Sequence, residues 1–348
     1  MSSVFEASYV NGGRRSLLRG IGAAAAGVSG VLPGLSLAQQ REQATLATGS
    51  AGYTWALTAV AESAGYWKKR NVDLRVQDFT TGRDAMQALL GGSANFSTTT
   101  DTPLVFAVLQ GLKPAVLANF SRYSYDMKIV ASERSGIDPR NPASLRGKKI
   151  GTPAGTSGQY ALAKYLEFAK LAPGDITQIN IAPSDLVGAL VRGDIDAFSW
   201  TALAGSAAQR QSGGKVVFLT QNGYEKYFRS HQLLLVNQAT LSSRKPLLSD
   251  AVNALLDAEN HIHTNAAWPE QVSSRVRSTP EEIRQFTSTF EFKVEFNKSF
   301  VEDLVSQAQW AIDNKLAPRP TGDLRELFRS VIHDETLKSI NPSRVSLG

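Results

Sequence analysis

Between residues 44 and 119 short apolar strands alternate with amphipathic helices, and this alternation restricts the chain to a mostly parallel sheet with covering helices. Residues 44–50 (ATLATGS) read as a strand ending in a polar turn. A helix follows to about Trp67, with Leu57, Val60, Ala61 and Ala64 on its inner face. Asn71 to Val76 alternates as a second strand, and Gly82 starts a helix carrying Ala85, Met86, Leu89 and Leu90. Asn95 to Thr99 is a short strand. It ends in Thr100-Asp101-Thr102-Pro103, where Asp101 or Thr102 can cap a helix and Pro103 suits its first turn. Ala115 to Asn119 adds a strand that ends near Ser121 and Arg122.

A second pattern lies at 147–166, GKKIGTPAGTSGQYALAKYL. The strand Lys148 to Thr152 runs into a turn of Pro, Gly, Ser and Thr, and a helix starts near Ser157. Thr156 or Ser157 supplies its cap, and Gly158 allows close approach to a ligand. Free N–H groups at such a helix start attract anions, and they lie beyond the carboxyl end of a strand. The turn holds no Cys, His or carboxylate, so it suits holding rather than reacting. An ordinary capped strand–helix turn has the same residues. No Gly-Lys-Ser/Thr follows at P-loop spacing.

The chain also echoes itself. Ala88-Leu89-Leu90, Gly92 and Thr98-Thr99-Thr100 match Ala189-Leu190-Val191, Gly193 and Ser199-Trp200-Thr201 at the same internal spacing. Two similar lobes offering strand ends to a shared cleft account for this, as does chance likeness of two short turns. Met127 to Ser132 and Leu233 to Gln238 bracket the second unit and read as paired connectors. Beyond them the chain is mainly helical, at roughly 246–263, 269–277, 280–288, 298–314 and 322–332.

Arg14 and Arg15 precede an apolar Gly/Ala/Val/Leu run, and Ser36-Leu37-Ala38 supplies small residues at cleavage spacing. This reads as a twin-arginine export signal over 1–38, too short and too rich in glycine to serve as a membrane anchor. The whole chain carries a formal charge of +6, and removal of the leader leaves about +4. That charge is spread out, so nucleic acid is not an expected partner, and it favours an anionic ligand weakly. Cysteine is absent, which removes thiol nucleophiles, disulfides and Cys-ligated metals. The four histidines are scattered, with His261 and His263 facing different ways on one helix. No catalytic residue, cofactor or metal is expected.

Several segments resemble the periplasmic solute-binding proteins of ABC importers for nitrate, taurine and alkanesulfonates. They are Gly65-Tyr66-Trp67 through Asn71-Val72-Asp73-Leu74, Thr100-Asp101-Thr102-Pro103, Leu145 to Gly151, Pro183-Ser184-Asp185 with Gly193 to Ala197, and Trp268-Pro269-Glu270. The resemblance implies an α/β fold of the periplasmic-binding-protein type II, two lobes joined by two hinge strands. Lobe 1 would comprise 39–130 plus 236–348, and lobe 2 131–235. It further implies a monomer in the periplasm that passes a small organic anion, a sulfonate or taurine-like, to a permease in the inner membrane.

Ligand contacts implied by the same resemblance are Tyr53, Trp55, Asp101, Thr102, Thr156, Ser157, Gly158, Trp200 and Thr201. Ser121 and Arg122 join them as strand-end candidates, with Arg122 able to meet ligand charge or to remain a solvated surface residue. Trp200 fits a pocket wall or a core, Asp101 fits a helix cap, and Tyr53 and Trp55 fit packing of the first helix. The alternative function is an exported enzyme of the same fold acting on a sulfonate, sulfinate or ester. Twin-arginine export carries folded proteins, often enzymes. The desulfinase branch of the family uses a nucleophilic cysteine, and this chain has none.

Overall fold

A computed structural model describes residues 41–50 and 56–347; the expected export signal, Tyr53 and Trp55 lie outside the described residues. Strands β1 (Glu42–Gly49), β2 (Val72–Phe79), β3 (Phe96–Thr100), β4 (Ala115–Tyr123), β5 (Met127–Ser132), β6 (Lys149–Thr152), β7 (Thr177–Asn180), β8 (Ala197–Thr201), β9 (Val216–Phe218), β10 (Ser230–Val236) and β11 (Glu291–Phe292) form two sheets. Sheet 1 has the order β11-β4-β10-β3-β1-β2, and sheet 2 the order β7-β6-β8-β5-β9. The connections after β1, β2, β3, β6, β7 and β8 are helical. These helices are α1 (Ala56–Ser63) with α2 (Tyr66–Lys69), α3 (Gly82–Leu90), α4 (Asp101–Leu109), α5 (Ser157–Phe168), α6 (Pro183–Arg192) and α7 (Ala202–Gln211).

The C-terminal part is helical as its proline spacing predicts. It comprises α8 (Gln238–Ser243), α9 (Lys245–Thr264), α10 (Trp268–Val276), α11 (Pro280–Thr287), α12 (Lys298–Asp313), α13 (Leu324–Arg329) and α14 (Glu335–Ile340). Pro280 sits in the first turn of α11, behind a Thr279–Glu282 capping box. Among the described residues no helix is long and apolar enough to cross a membrane.

The two apolar strands read as connectors are both interior to a sheet. β5 lies between β8 and β9 in sheet 2, and β10 lies between β3 and β4 in sheet 1, antiparallel to both. Every residue of β10 is buried. A continuous apolar run marks a strand covered on both faces, whichever sheet owns it. The passages between the sheets are less regular: 124–126 between β4 and β5, and 219–229 between β9 and β10.

The internal echo carries through to the fold. β3 and β8 begin and end 101 positions apart, and α4 and α7 start with the same offset. Gly92 and Gly193, which close the preceding helices, have φ of 80° and 88°, the left-handed conformation that glycine adopts without a Cβ penalty.

Candidate ligand-binding cleft

Of the described helices that begin at or just beyond the carboxyl ends of strands, four are preceded by a threonine. Thr81 precedes α3, Thr100 α4, Thr156 α5 and Thr201 α7. The first two belong to sheet 1 and the last two to sheet 2. All four threonines line one small cleft, open to solvent, together with Gly49, Thr80, Gly82, Arg83, Pro103, Asp126, Met127, Ser157 and Trp200. This is the placement expected for a ligand site in an open α/β sheet.

The four caps are not equivalent. Thr81 accepts the Asp84 N–H at 3.1 Å, and Thr201 accepts the Ala204 N–H at 3.4 Å, so each hydroxyl serves its own helix. Thr156 Oγ1 instead donates to the Pro153 carbonyl at 2.7 Å. Thr100 Oγ1 receives the Ser157 hydroxyl at 2.6 Å. Neither side chain caps its helix. In α4 the Thr102 N–H is taken by Asp101 Oδ1 at 3.0 Å and Pro103 has no N–H, so the first turn of α5 is the helix start that keeps its donors and the positive end of its dipole toward the cleft.

Arg83 is the single basic residue among the described residues lining the cleft. It stands in the first turn of α3, and its Nη1 donates to the Ala154 carbonyl at 2.8 Å, joining the sheet 1 side to the turn before α5. The sequence carries a local signal for this position in Thr81-Gly82-Arg83-Asp84, a Thr-x-x-Asp pattern that fixes a helix start. Beside the cleft a second depression gathers Arg210, Arg275 and Arg277 with Ser50 and Asp78. Arg275 is engaged by Asp78 at 2.8 Å and Glu62 at 3.2 Å, and Arg210 by Glu282.

Trp200 forms part of the wall and is 6 % exposed. Its ring packs on the first turn of α5, where a Cβ on Gly158 would stand 2.5 Å from Trp200 Cε3. Only glycine fits there, so helix and indole approach more closely than other residues permit. Trp200 thus serves as both pocket wall and core aromatic.

The structure brings Thr156, Ser157, Trp200 and Thr201 together, with Gly158 directly behind. It places the remaining described candidates elsewhere. Thr100, not Asp101 or Thr102, is the N-cap of α4. Asp101 is fully buried and accepts from Ser230 Oγ at 2.6 Å, His231 N at 3.0 Å and Gln307 Nε2 at 2.6 Å. Burial raises its carboxyl above the usual range, opposed by His231 and these hydrogen bonds. Thr102 Oγ1 donates to Gln307 Oε1 at 2.8 Å. Asp101 ties α4 to β10 and α12, and Thr102 ties it to α12.

Ser121 is buried within sheet 1, opposite Gln232. Arg122 makes a two-pronged pair with Glu291, at 2.5 and 2.6 Å, across the β4–β11 ladder. That hydrogen-bonded pairing holds the guanidinium pKa above its usual value. It borders a different surface depression, with Tyr125 and Arg229.

The donor set suits recognition. Hydroxyls, helix N–H groups and one guanidinium converge, and His231 is buried against Asp303 at 2.8 Å rather than beside a cleft hydroxyl. Among the described residues no three His, Asp or Glu side chains cluster as metal ligands.

Several known proteins are similar to this chain. The family model described as NMT1/THI5 like matches residues 54–267, more than half of the chain. A Brucella abortus (strain 2308) protein named as a binding protein is 32% identical over 158 residues, covering 45% of this chain and 47% of that one. The taurine-binding periplasmic protein of Escherichia coli (strain K12) is 28% identical over 210 residues, 58% of this chain and 63% of that one. The chain thus spans about half to two thirds of the length of the curated relatives it matches. The crystal structure of the periplasmic aliphatic sulphonate binding protein SsuA from Escherichia coli superposes with a TM-score of 0.67 at 19% identity, over 82% of this chain and 96% of that one. At that identity the likeness speaks for the fold, two α/β units of the periplasmic-binding-protein type.

Proposed function

We propose that this chain, which belongs to the NMT1/THI5-like family, is the solute-binding subunit of an ABC importer and holds a small organic anion in the cleft between its sheets. The observation that carries the reading is the start of α5, whose N-cap Thr156 bonds elsewhere, beside Arg83 and the hydroxyls of Thr100 and Ser157. Helix N–H groups, hydroxyls and one guanidinium stabilise negative charge without offering a reacting group. Trp200 supplies apolar area for the body of the ligand. A sulfonate fits this combination: three acceptor oxygens match several converging donors. The chain works as a monomer in the periplasm and releases its ligand to a permease in the inner membrane.

The test is a thermal-shift screen of full-length protein against sulfonates, nitrate, carboxylates and neutral isosteres. Sulfonates are expected to raise the melting temperature, by an amount equivalent to about 2.7 kcal/mol at a hundredfold excess over the dissociation constant. Shifts by neutral or cationic compounds with none by any anion would overturn the ligand class. Recovery of the sulfonate unchanged after long incubation separates this reading from an exported enzyme of the same fold.

A further inference from the structure

Behind the cleft, β5 and α7 border a second hollow. Met127 and Thr201 line the cleft, whereas the residue after each, Lys128 and Ala202, lines a groove that is also open to solvent. In β5 the switch follows from the strand, whose successive side chains point to opposite faces. On α7, Ala202, Ser206 and Gln209 stand at i, i+4 and i+7 and turn one helix face to the groove. Gln285, Phe286 and Thr289, in and just after α11, close its other side. Both passages between the sheets border it, through Tyr125 and through Leu219 and Gln221. The groove is larger than the cleft.

Lys128 is the single charged residue among the described residues lining this groove, and no Asp or Glu stands with it. Its side chain is half-buried, and its Nζ donates to Gln221 Oε1 at 2.7 Å. Gln221 is fixed in turn, since its Nε2 donates to the Met127 carbonyl at 2.6 Å. The carboxylate nearest in its influence on Lys128 is Asp126, which lines the cleft instead. Burial lowers the ammonium pKa against the pull of Asp126. An ammonium carries three N–H donors, and the Gln221 amide takes one of them. A half-buried cation bonded only to a neutral amide is a recognition point for an anion. Ser206, Gln285 and Thr289 add hydroxyl and amide groups, and Phe218, Leu219 and Phe286 add apolar wall.

We propose that this groove is a second binding site, for a small organic acid with one carboxylate and an apolar body, the carboxylate taking the remaining N–H groups of Lys128. One cation in the groove matches one negative charge on the ligand. The aromatic walls exclude water from the body of the acid and favour an aryl or branched alkyl group over a bare oxyanion. The site goes beyond the cleft reading and does not rest on it, because the two share no lining residue among those described.

The test is titration calorimetry on full-length protein at neutral pH, with benzoate as the probe and benzamide as its neutral match. Benzoate should bind about tenfold or more tightly than benzamide. Lys128→Met removes the charge and keeps the stem, and it should erase that preference. Ser206→Glu sets a carboxylate into the groove from the face of α7, and it should weaken benzoate by about tenfold or more while leaving Lys128 in place. Benzoate that binds no more tightly than benzamide overturns the proposal. A preference that survives both Lys128→Met and Ser206→Glu also overturns it. Loss of benzoate binding in Arg83→Ala with binding kept in Lys128→Met would put the probe in the cleft, overturning the groove site and leaving the anion reading standing. Ser206→Glu and the wild-type comparison decide even if Lys128→Met folds poorly.

Discussion

The Ser157 hydroxyl donates to the Thr100 hydroxyl across 2.6 Å, linking a helix start on sheet 2 to one on sheet 1. With the Arg83 contact to Ala154, it draws the two sides of the cleft together where the donors converge. Both links need the sheets close. Bending at 124–126 and 219–229 would break them and open the cleft.

The first prediction concerns that motion. Small-angle scattering should give a smaller radius of gyration with a bound sulfonate than without. Combining Ser157→Ala with Arg83→Ala should shift the ligand-free protein toward the larger radius. Identical curves at saturating ligand would count against hinge bending.

Arg83 and Arg122 should separate cleanly. Arg83→Ala removes the one cation lining the cleft among the described residues, and anion affinity should fall by roughly 10- to 100-fold, the size of a lost charge-assisted hydrogen bond. Arg122→Ala breaks a half-exposed cross-strand pair, so stability should change by less than about 1 kcal/mol and affinity by less than about twofold. Calorimetry and urea unfolding read the two quantities independently. The reverse ranking would return Arg122 to the site.

Gly158→Ala sets a methyl group against an indole that is already in place. The new Cβ would lie 2.5 Å from Trp200 Cε3 and 3.0 Å from the Ser199 carbonyl oxygen, so the ring or the helix must move. The expected cost is about 1–3 kcal/mol of stability, with weaker ligand binding and a changed tryptophan emission. A variant as stable as the parent, with the same spectrum, would show that the wall is softer than this packing implies.

Stability should also depend on pH through Asp126. Its ordinary value is 3.8, and burial raises it to about 7, so between these limits the folded chain keeps a proton that the unfolded chain has released. Stability therefore falls as pH rises through this interval and stays at the lower level above it. Asp126→Asn should flatten that slope and stabilise the ligand-free protein above neutrality by at most about 4 kcal/mol. Chemical unfolding across the interval checks it; parallel profiles for parent and variant would place the carboxyl in a wetter setting.

Export can be tested without reference to the described residues. Replacing both Arg14 and Arg15 with Lys should leave the precursor in the cytoplasm, because a twin-arginine signal depends on that pair. Normal periplasmic accumulation of the variant would assign the leader to the general secretory route.

Local chemistry made part of the candidate cleft legible. The Gly/Ser/Thr turn before α5 announced itself because capping residues and glycines act within a few positions of where they stand. The repeat of Thr98-Thr99-Thr100 at Ser199-Trp200-Thr201 likewise located two of the four helix starts. Arg122 misled because its partner Glu291 is 169 residues away in sequence, and nothing local shows that its charge is already matched. Asp126 was invisible for the opposite reason. A lone carboxylate between two strands reads as solvated until tertiary packing removes the water. Asp101 showed its position but not its duty, since the groups it serves, on β10 and α12, are remote in the chain.

The place of β10 has a consequence for synthesis. β3 and β4 are not neighbours in sheet 1; β10 fills the gap between them, and it leaves the ribosome 130 positions after the end of β3. Until then both strands carry open edges that invite mispairing. All the strands of sheet 2, by contrast, come from one unbroken stretch, 127–218, and can close before β10 exists. A chain truncated just before Ser230 and released should therefore hold a protease-resistant second sheet beside an unfinished first one. Its exposed edges are where a holdase chaperone would bind.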